Sequence, residues 1–247
     1  MSDLRARSLV LFAVGILAVG AARPQVVHAD PPLGVEQIAA RLSAMNERRK
    51  VALTSYESQR TMTVTYQGQL GQGDASETVS MRFNAPSSKQ FTVISASGAQ
   101  MIRDSVFQRA LTAEQAAAGE GPQQASALNL NNYTMLLVGR EKLPAGDCLI
   151  LEVAPKVASE FTYAGRVWVQ GTDFAVVRIQ GKPAINPSPW ISEGEFTTDF
   201  QKLGDFYFPQ KTVSTSTLPL GMHARLTIQY GSYRILSATP VRLGDPF

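Results

Sequence analysis

The chain has 247 residues, a formal charge of +3, one cysteine and two histidines. A lone cysteine rules out an intramolecular disulfide, so the fold rests on packing. The longest basic cluster, Arg48-Arg49-Lys50, falls short of a nucleic-acid footprint, and a His/Cys metal cluster or Ser/His/Asp relay is poorly supplied, so no nucleic acid, metal, cofactor or catalytic role is expected.

Arg5 and Arg7 precede an apolar run from Leu9 to Ala22, and Val27-His28-Ala29 follows. This is the pattern of a cleavable signal peptide over residues 1–29, with the cut before Asp30. The apolar run is short for a bilayer that needs roughly 20 residues. Cys148 lies far from the cut, so no lipid is expected on a cysteine at the new N-terminus. Residues 30–247 then form one exported, soluble domain of 218 residues. Its charge is about +1, because the signal carries three arginines against Asp3.

From Leu33 to Leu53, Val35, Ile38, Leu42 and Met45 recur at spacings of three and four, which predicts a helix with one apolar stripe. The period then becomes two. Met62, Val64 and Tyr66 alternate with Thr61, Thr63 and Thr65, and Val79, Met81 and Phe83 alternate with Thr78, Ser80 and Arg82. These are antiparallel strands with one apolar face, joined through the glycine-rich loop GQLGQGDAS. KQFTVISA predicts a third strand, and Gly98 to about Ala118 a second helix whose broad side carries Ile102, Val106, Phe107, Ala110 and Leu111. AAAGEGPQQAS reads as a loop. From Tyr133 seven more strand signals run almost to the end, separated by glycine and proline breakers.

About ten short-linked strands with two helices exclude parallel βαβ winding, which needs longer crossovers. The expected architecture is mainly β (α+β): a strongly curved antiparallel half-barrel with a helical lid over its concave side. Its interior is either a solid core or a cavity.

Between Tyr133 and Tyr233 the chain carries Gly165 to Val169 (GRVWV), Asp173-Phe174, Val177-Arg178-Ile179, Gly181-Lys182-Pro183, Pro187-Ser188-Pro189-Trp190-Ile191 and Phe208-Pro209. In this order they resemble the periplasmic outer-membrane lipoprotein-sorting superfamily, the LolA, LolB and RseB/MucB-like proteins. The signal peptide, first helix and TMTVTY strand extend the resemblance over nearly the whole mature chain. It implies an unclosed barrel whose hydrophobic cavity takes lipid acyl chains or lipoproteins. It further implies a periplasmic location, a monomer, and exchange with a membrane-bound donor or acceptor protein. The alternative is an RseB-like sensor whose lipid occupancy regulates a partner.

Candidate cavity residues are Leu42 and Met45 on the first helix, Met62, Val64, Met81, Phe83 and Phe91 on the first strands, and Ile102, Val106 and Phe107 on the second helix. Smooth apolar walls suit acyl chains, and methionine adapts to variable partners. A solid core draws on the same residues. Burial at roughly 0.8 kcal/mol per methylene supplies on the order of 10 kcal/mol for a 16-carbon chain, so few polar contacts are needed. Arg178 interrupts FAVVRI on the parity of Phe174 and Val176; it is a candidate polar hook, or a cross-strand partner of Glu152, Glu195 or Asp199. Trp168 and Trp190 read as core or rim, Cys148 as a small buried hydrophobe, and His223 as solvent-exposed. Glu193, Glu195 and Asp199 read as a solvated strand face rather than an acid/base pair.

Overall fold

A computed structural model of the chain describes residues 33–69, 71–186 and 193–241; the expected signal peptide and Trp190 lie outside them. Helix α1 (Val35–Ala52) buries Ile38, Ala39, Leu42 and Met45, the stripe read from the sequence. Its first turn is closed by the Gly34 amide, which donates to the Gln37 side chain at 3.1 Å. Arg49 and Lys50 in its last turn complement the negative end of the helix dipole. It passes without a linker into β1.

Ten strands follow: β1 (Leu53–Gly68), β2 (Gly71–Asn84), β3 (Ser88–Gly98), β4 (Tyr133–Leu143), β5 (Gly146–Pro155), β6 (Tyr163–Gln170), β7 (Ala175–Pro183), β8 (Glu193–Leu203), β9 (Phe206–Leu218) and β10 (Met222–Ala238). They form one antiparallel sheet in the order β3-β2-β1-β10-β9-β8-β7-β6-β5-β4. The first and last strands therefore pair at an internal seam, and β3 and β4 are free edges. The sheet is unclosed and curved, as expected.

Three local expectations are corrected. The first strand begins at Leu53 rather than near Arg60. The glycine-rich connector is largely paired, with Gly68 opposite Gly71, because its polar residues fit the wet ends of two long strands. The expected loop at 116–126 contains helix α4 (Glu120–Ser126).

Between β3 and β4, 34 residues (99–132) must carry the chain from one free edge to the other. Ten strands at about 4.8 Å spacing span roughly 45 Å along the sheet, and the strap crosses on the concave side, where Ile102, Phe107 and Leu111 pack on Met62 and Val64. It contains α2 (Gln100–Ile102), a π-helical turn (Arg103–Phe107), α3 (Gln108–Ala117) and α4. Gly98 lets it leave the sheet: its φ is +82°, and a Cβ there would sit 2.4 Å from the Asp74 carbonyl oxygen. At the far end the Asn132 side-chain amide donates to the Gln124 and Ala127 carbonyls at 2.7 and 2.9 Å.

The concave face carries separate apolar clusters. One packs α1 against Tyr133, Leu151, Val153, Val167 and Val169 of β4–β6. Another packs the strap residues Ile102, Phe107 and Leu111 against Met62, Val64, Ala75 and Val79. The α1 cluster anchors the wing containing β4–β6. Leu151, with no exposed surface, should cost about 2–5 kcal/mol on Leu151→Ala, whereas Leu136→Ala, at a side chain 58% exposed on the edge strand, should change stability by less than about 0.5 kcal/mol; urea denaturation of the two variants checks both values.

Candidate functional site

Strand alternation decides which side chains reach the concave face. On β1 the inward set is Tyr56, Ser58, Arg60, Met62, Val64 and Tyr66, and across the seam Arg60 faces Tyr230, Met62 faces Ile228, and Val64 faces Leu226. Arg60 thus occupies an apolar position and is only 3% exposed. Burying a guanidinium is costly unless it is paired.

The strap supplies the pair. Arg60 Nη1 donates to Glu114 Oε2 at 2.6 Å, and Lys89 Nζ of β3 donates to Glu114 Oε1 at 2.9 Å. Gln115 adds a hydrogen bond from its side-chain amide to the Lys89 carbonyl at 3.2 Å. The guanidinium also lies 5.0 Å from the Phe91 ring centre and 5.5 Å from that of Tyr230, within cation–π range. Burial works to raise the Glu114 carboxyl, but Lys89 and Arg60 overcome it and hold it below the usual range. Burial pushes the Tyr56, Tyr230 and Tyr233 phenols up, so they remain protonated. Two further buried atoms on this side, Glu77 Oε1 and Arg103 Nε, have no hydrogen-bond partner.

Beside the strap cluster, Phe208 stacks on Tyr233 with ring centres 4.5 Å apart and lies 5.0 Å from the ring of Tyr56. Where α1 meets the sheet there is a groove of about 380 Å³. Its apolar lining includes Leu128, Tyr163, Val176, Ile179, Phe200 and Phe206, and Asn46, Arg49 and Lys50 stand at its rim. Arg49 is engaged: it donates to the carbonyls of Asp173 (2.6 Å), Asp205 (3.0 Å) and Phe174 (3.4 Å). This fastens the end of α1 to two strand turns.

The candidate cavity residues divide between these regions. Met62, Val64, Phe91, Ile102, Val106 and Phe107 come together under the strap. Leu42 and Met45 sit in the separate α1 cluster. Met81 is buried on β2 opposite Ser58 and Phe91, and the Phe83 ring lies 5.2 Å from that of Tyr56.

Arg178 is placed elsewhere. The register shifts where Val169 faces Val176 while Trp168 faces Arg178, a bulge that inserts Val177 and flips the alternation. Arg178 therefore does not share the face of Phe174 and Val176. It projects from the convex side, donating from Nε to Asp199 Oδ1 at 2.6 Å and lying over Trp168 at 5.9 Å. Trp168 packs with buried Cys148 and Val177 and donates to Glu141 at 2.7 Å. Burial raises the Cys148 thiol, which disfavours the thiolate. His223 is exposed, and Glu195 is ion-paired with Lys182 at 3.2 Å. Among the described residues no group of three or more His, Cys, Asp or Glu is arranged to hold a metal.

Arg60, Lys89 and Glu114 were missed in the strand and helix reading. The available signal was parity: Arg60 shares the phase of Met62 and Val64, and Lys89 that of Phe91.

The described residues form an unclosed antiparallel half-barrel with a helical strap across its mouth. No family model and no curated protein matches the chain. Similar solved structures include a DUF1329 family protein from Desulfovibrio piger, at 13% identity and TM-score 0.41, covering 82% of this chain and 93% of that one. A putative outer membrane lipoprotein-sorting protein domain from Vibrio parahaemolyticus follows at 11% and 0.37, with 82% and 95% covered. A LolA superfamily protein from Nitrosomonas europaea stands at 11% and 0.34, with 80% and 94% covered.

The Glu114 carboxyl is depressed in the folded chain, so its contribution is fully present above the ordinary glutamate range and is lost as pH falls through the lower folded value. Amide exchange of residues 108–117, corrected for intrinsic rates, should therefore speed up as pH drops from 6 to 3; in Glu114→Gln it should already be fast at pH 6.

Proposed function

We propose that this protein is a non-enzymatic periplasmic carrier that holds acyl chains of lipids or lipoproteins between its curved sheet and its strap, with residues 1–29 as the export signal. The observation that carries the reading is how the strap is attached. It contributes no strand to the sheet, and its first half is held by the side chains Ile102, Phe107 and Leu111 and by the Glu114 ion pairs. Lifting it leaves the ladder intact and uncovers Met62, Val64, Phe91, Leu226 and Ile228, with Arg60 and Glu77 on the same face. The π-helical turn near its start supports this role, since such turns mark strained or functional helix segments.

The 380 Å³ groove beside α1 falls within the range of small-molecule sites and extends the available apolar surface. Transfer then needs a receptor of higher affinity, because a difference in affinity is sufficient to move cargo. No helix among the described residues is long and apolar enough to cross a membrane, which suits exchange with a membrane-bound donor or acceptor. The sensor reading is favoured by one feature: edge strand β4 exposes Leu136, Leu137 and Val138, and edge strand β3 exposes Val93 and Ile94. Such edges can add a partner's strand.

Native mass spectrometry with lipid extraction, on protein isolated from its own envelope, should find co-purifying acyl species; delipidated protein that takes up none would end the carrier reading. Carbodiimide treatment should couple Lys89 to Glu114 and block subsequent uptake, while Lys89→Gln protein treated in the same way should retain it.

A further inference from the structure

Glu114 is the charged contact between strap and sheet. Its two oxygens accept from Arg60 and Lys89 at 2.6 and 2.9 Å, a two-pronged arrangement of cations from two strands around one carboxylate. Both cations belong to the sheet and the carboxylate belongs to the strap. If the strap lifts, the sheet keeps two positive charges on its concave face, one of them on a side chain 3% exposed. Arg60 Nε is buried and has no hydrogen-bond partner even with the strap closed. That donor can serve an acceptor that Glu114 does not supply, because a guanidinium offers five N–H groups in a fixed fork.

The surroundings define what such an acceptor is attached to. Along β1 from Arg60, the same face continues through Met62 and Val64 to Tyr66, about 20 Å at the strand rise. Ile228 and Leu226 flank it across the seam. A charged end and a largely apolar strip, broken on its β2 side by buried Glu77 opposite Met62, meet at one point. We infer that the strap carboxylate is a built-in stand-in for the anionic head of an amphiphile, and that Arg60 and Lys89 bind a carboxylate or phosphate head while its tail lies along Met62 and Val64. This rests on the carrier reading and adds the class of cargo to it: anionic amphiphiles are preferred over neutral ones, and they compete with Glu114 for one pair of cations.

The test uses titration calorimetry of the full mature chain with oleate, oleyl alcohol and inorganic phosphate, and a thermal melt for each variant. Glu114→Gln should bind oleate about tenfold more tightly than the parent, and Lys89→Gln about tenfold more weakly. Oleyl alcohol should bind all three alike. Equal oleate affinity in the three proteins, or equal shifts for oleate and oleyl alcohol, would overturn the head-group site while leaving the carrier intact. Inorganic phosphate binding as tightly as oleate would overturn the amphiphile in favour of a free anion. Failure of both amphiphiles to bind any of the three proteins would remove the carrier reading as well. Arg60→Lys, which keeps the buried charge and loses the fork, should weaken oleate more than oleyl alcohol; an equal loss for both again counts against the site.

Discussion

The strap has to span the sheet because the chain leaves it at one free edge and returns at the other. With β3 and β4 at opposite ends of a ten-stranded order, no short connection exists. A segment joining them must cross the whole sheet, and here it crosses the concave face, where burying its apolar side is favourable. Strand order makes the crossing long, and apolar packing places it over the mouth. What the sequence adds is how firmly it is held: Phe107 and Leu111 supply apolar burial, and Glu114 supplies charge.

Charge on the inward face is the least economical feature of the fold. Arg60 and Glu77 are buried at positions where alternation calls for apolar residues. An apolar replacement of similar volume is often neutral or stabilising at such sites, so packing alone does not account for them. Both lie under the strap rather than under α1, whose stripe is apolar. The half of the concave face that is covered by α1 buries an apolar cluster. The half covered by the crossing segment carries the ions.

Much of this was legible in the residues. Two-residue alternation from Met62 onward, breakers between the later strands, and the three-four stripe from Val35 to Met45 gave the sheet, the first helix and the half-barrel. Met62 and Val64, read from strand parity, and Ile102 and Phe107, read from helical spacing, lie in one cluster. What was not legible depended on geometry that one-dimensional patterns do not carry. Arg178 lost its expected face to a single bulge at Val177, which reverses alternation without leaving a glycine or proline as a marker. Glu114 meets Arg60 across 54 residues, a pairing set by where the strap crosses. The groove beside α1 draws its walls from Leu128, Tyr163 and Phe200, residues related only by the curl of the sheet.

The seam between β1 and β10 has its own consequence for how the molecule is made. Thr54 hydrogen-bonds Ser237, 183 positions further along the chain. A polypeptide appearing N-terminus first can assemble β1 to β3 and later the meander from β4 to β9, yet the two halves stay unjoined until the last strand arrives. Such remote pairing slows folding and lengthens the time during which unpaired strand edges are open to other chains. Newly made copies should therefore be most prone to aggregate immediately before their final residues are released.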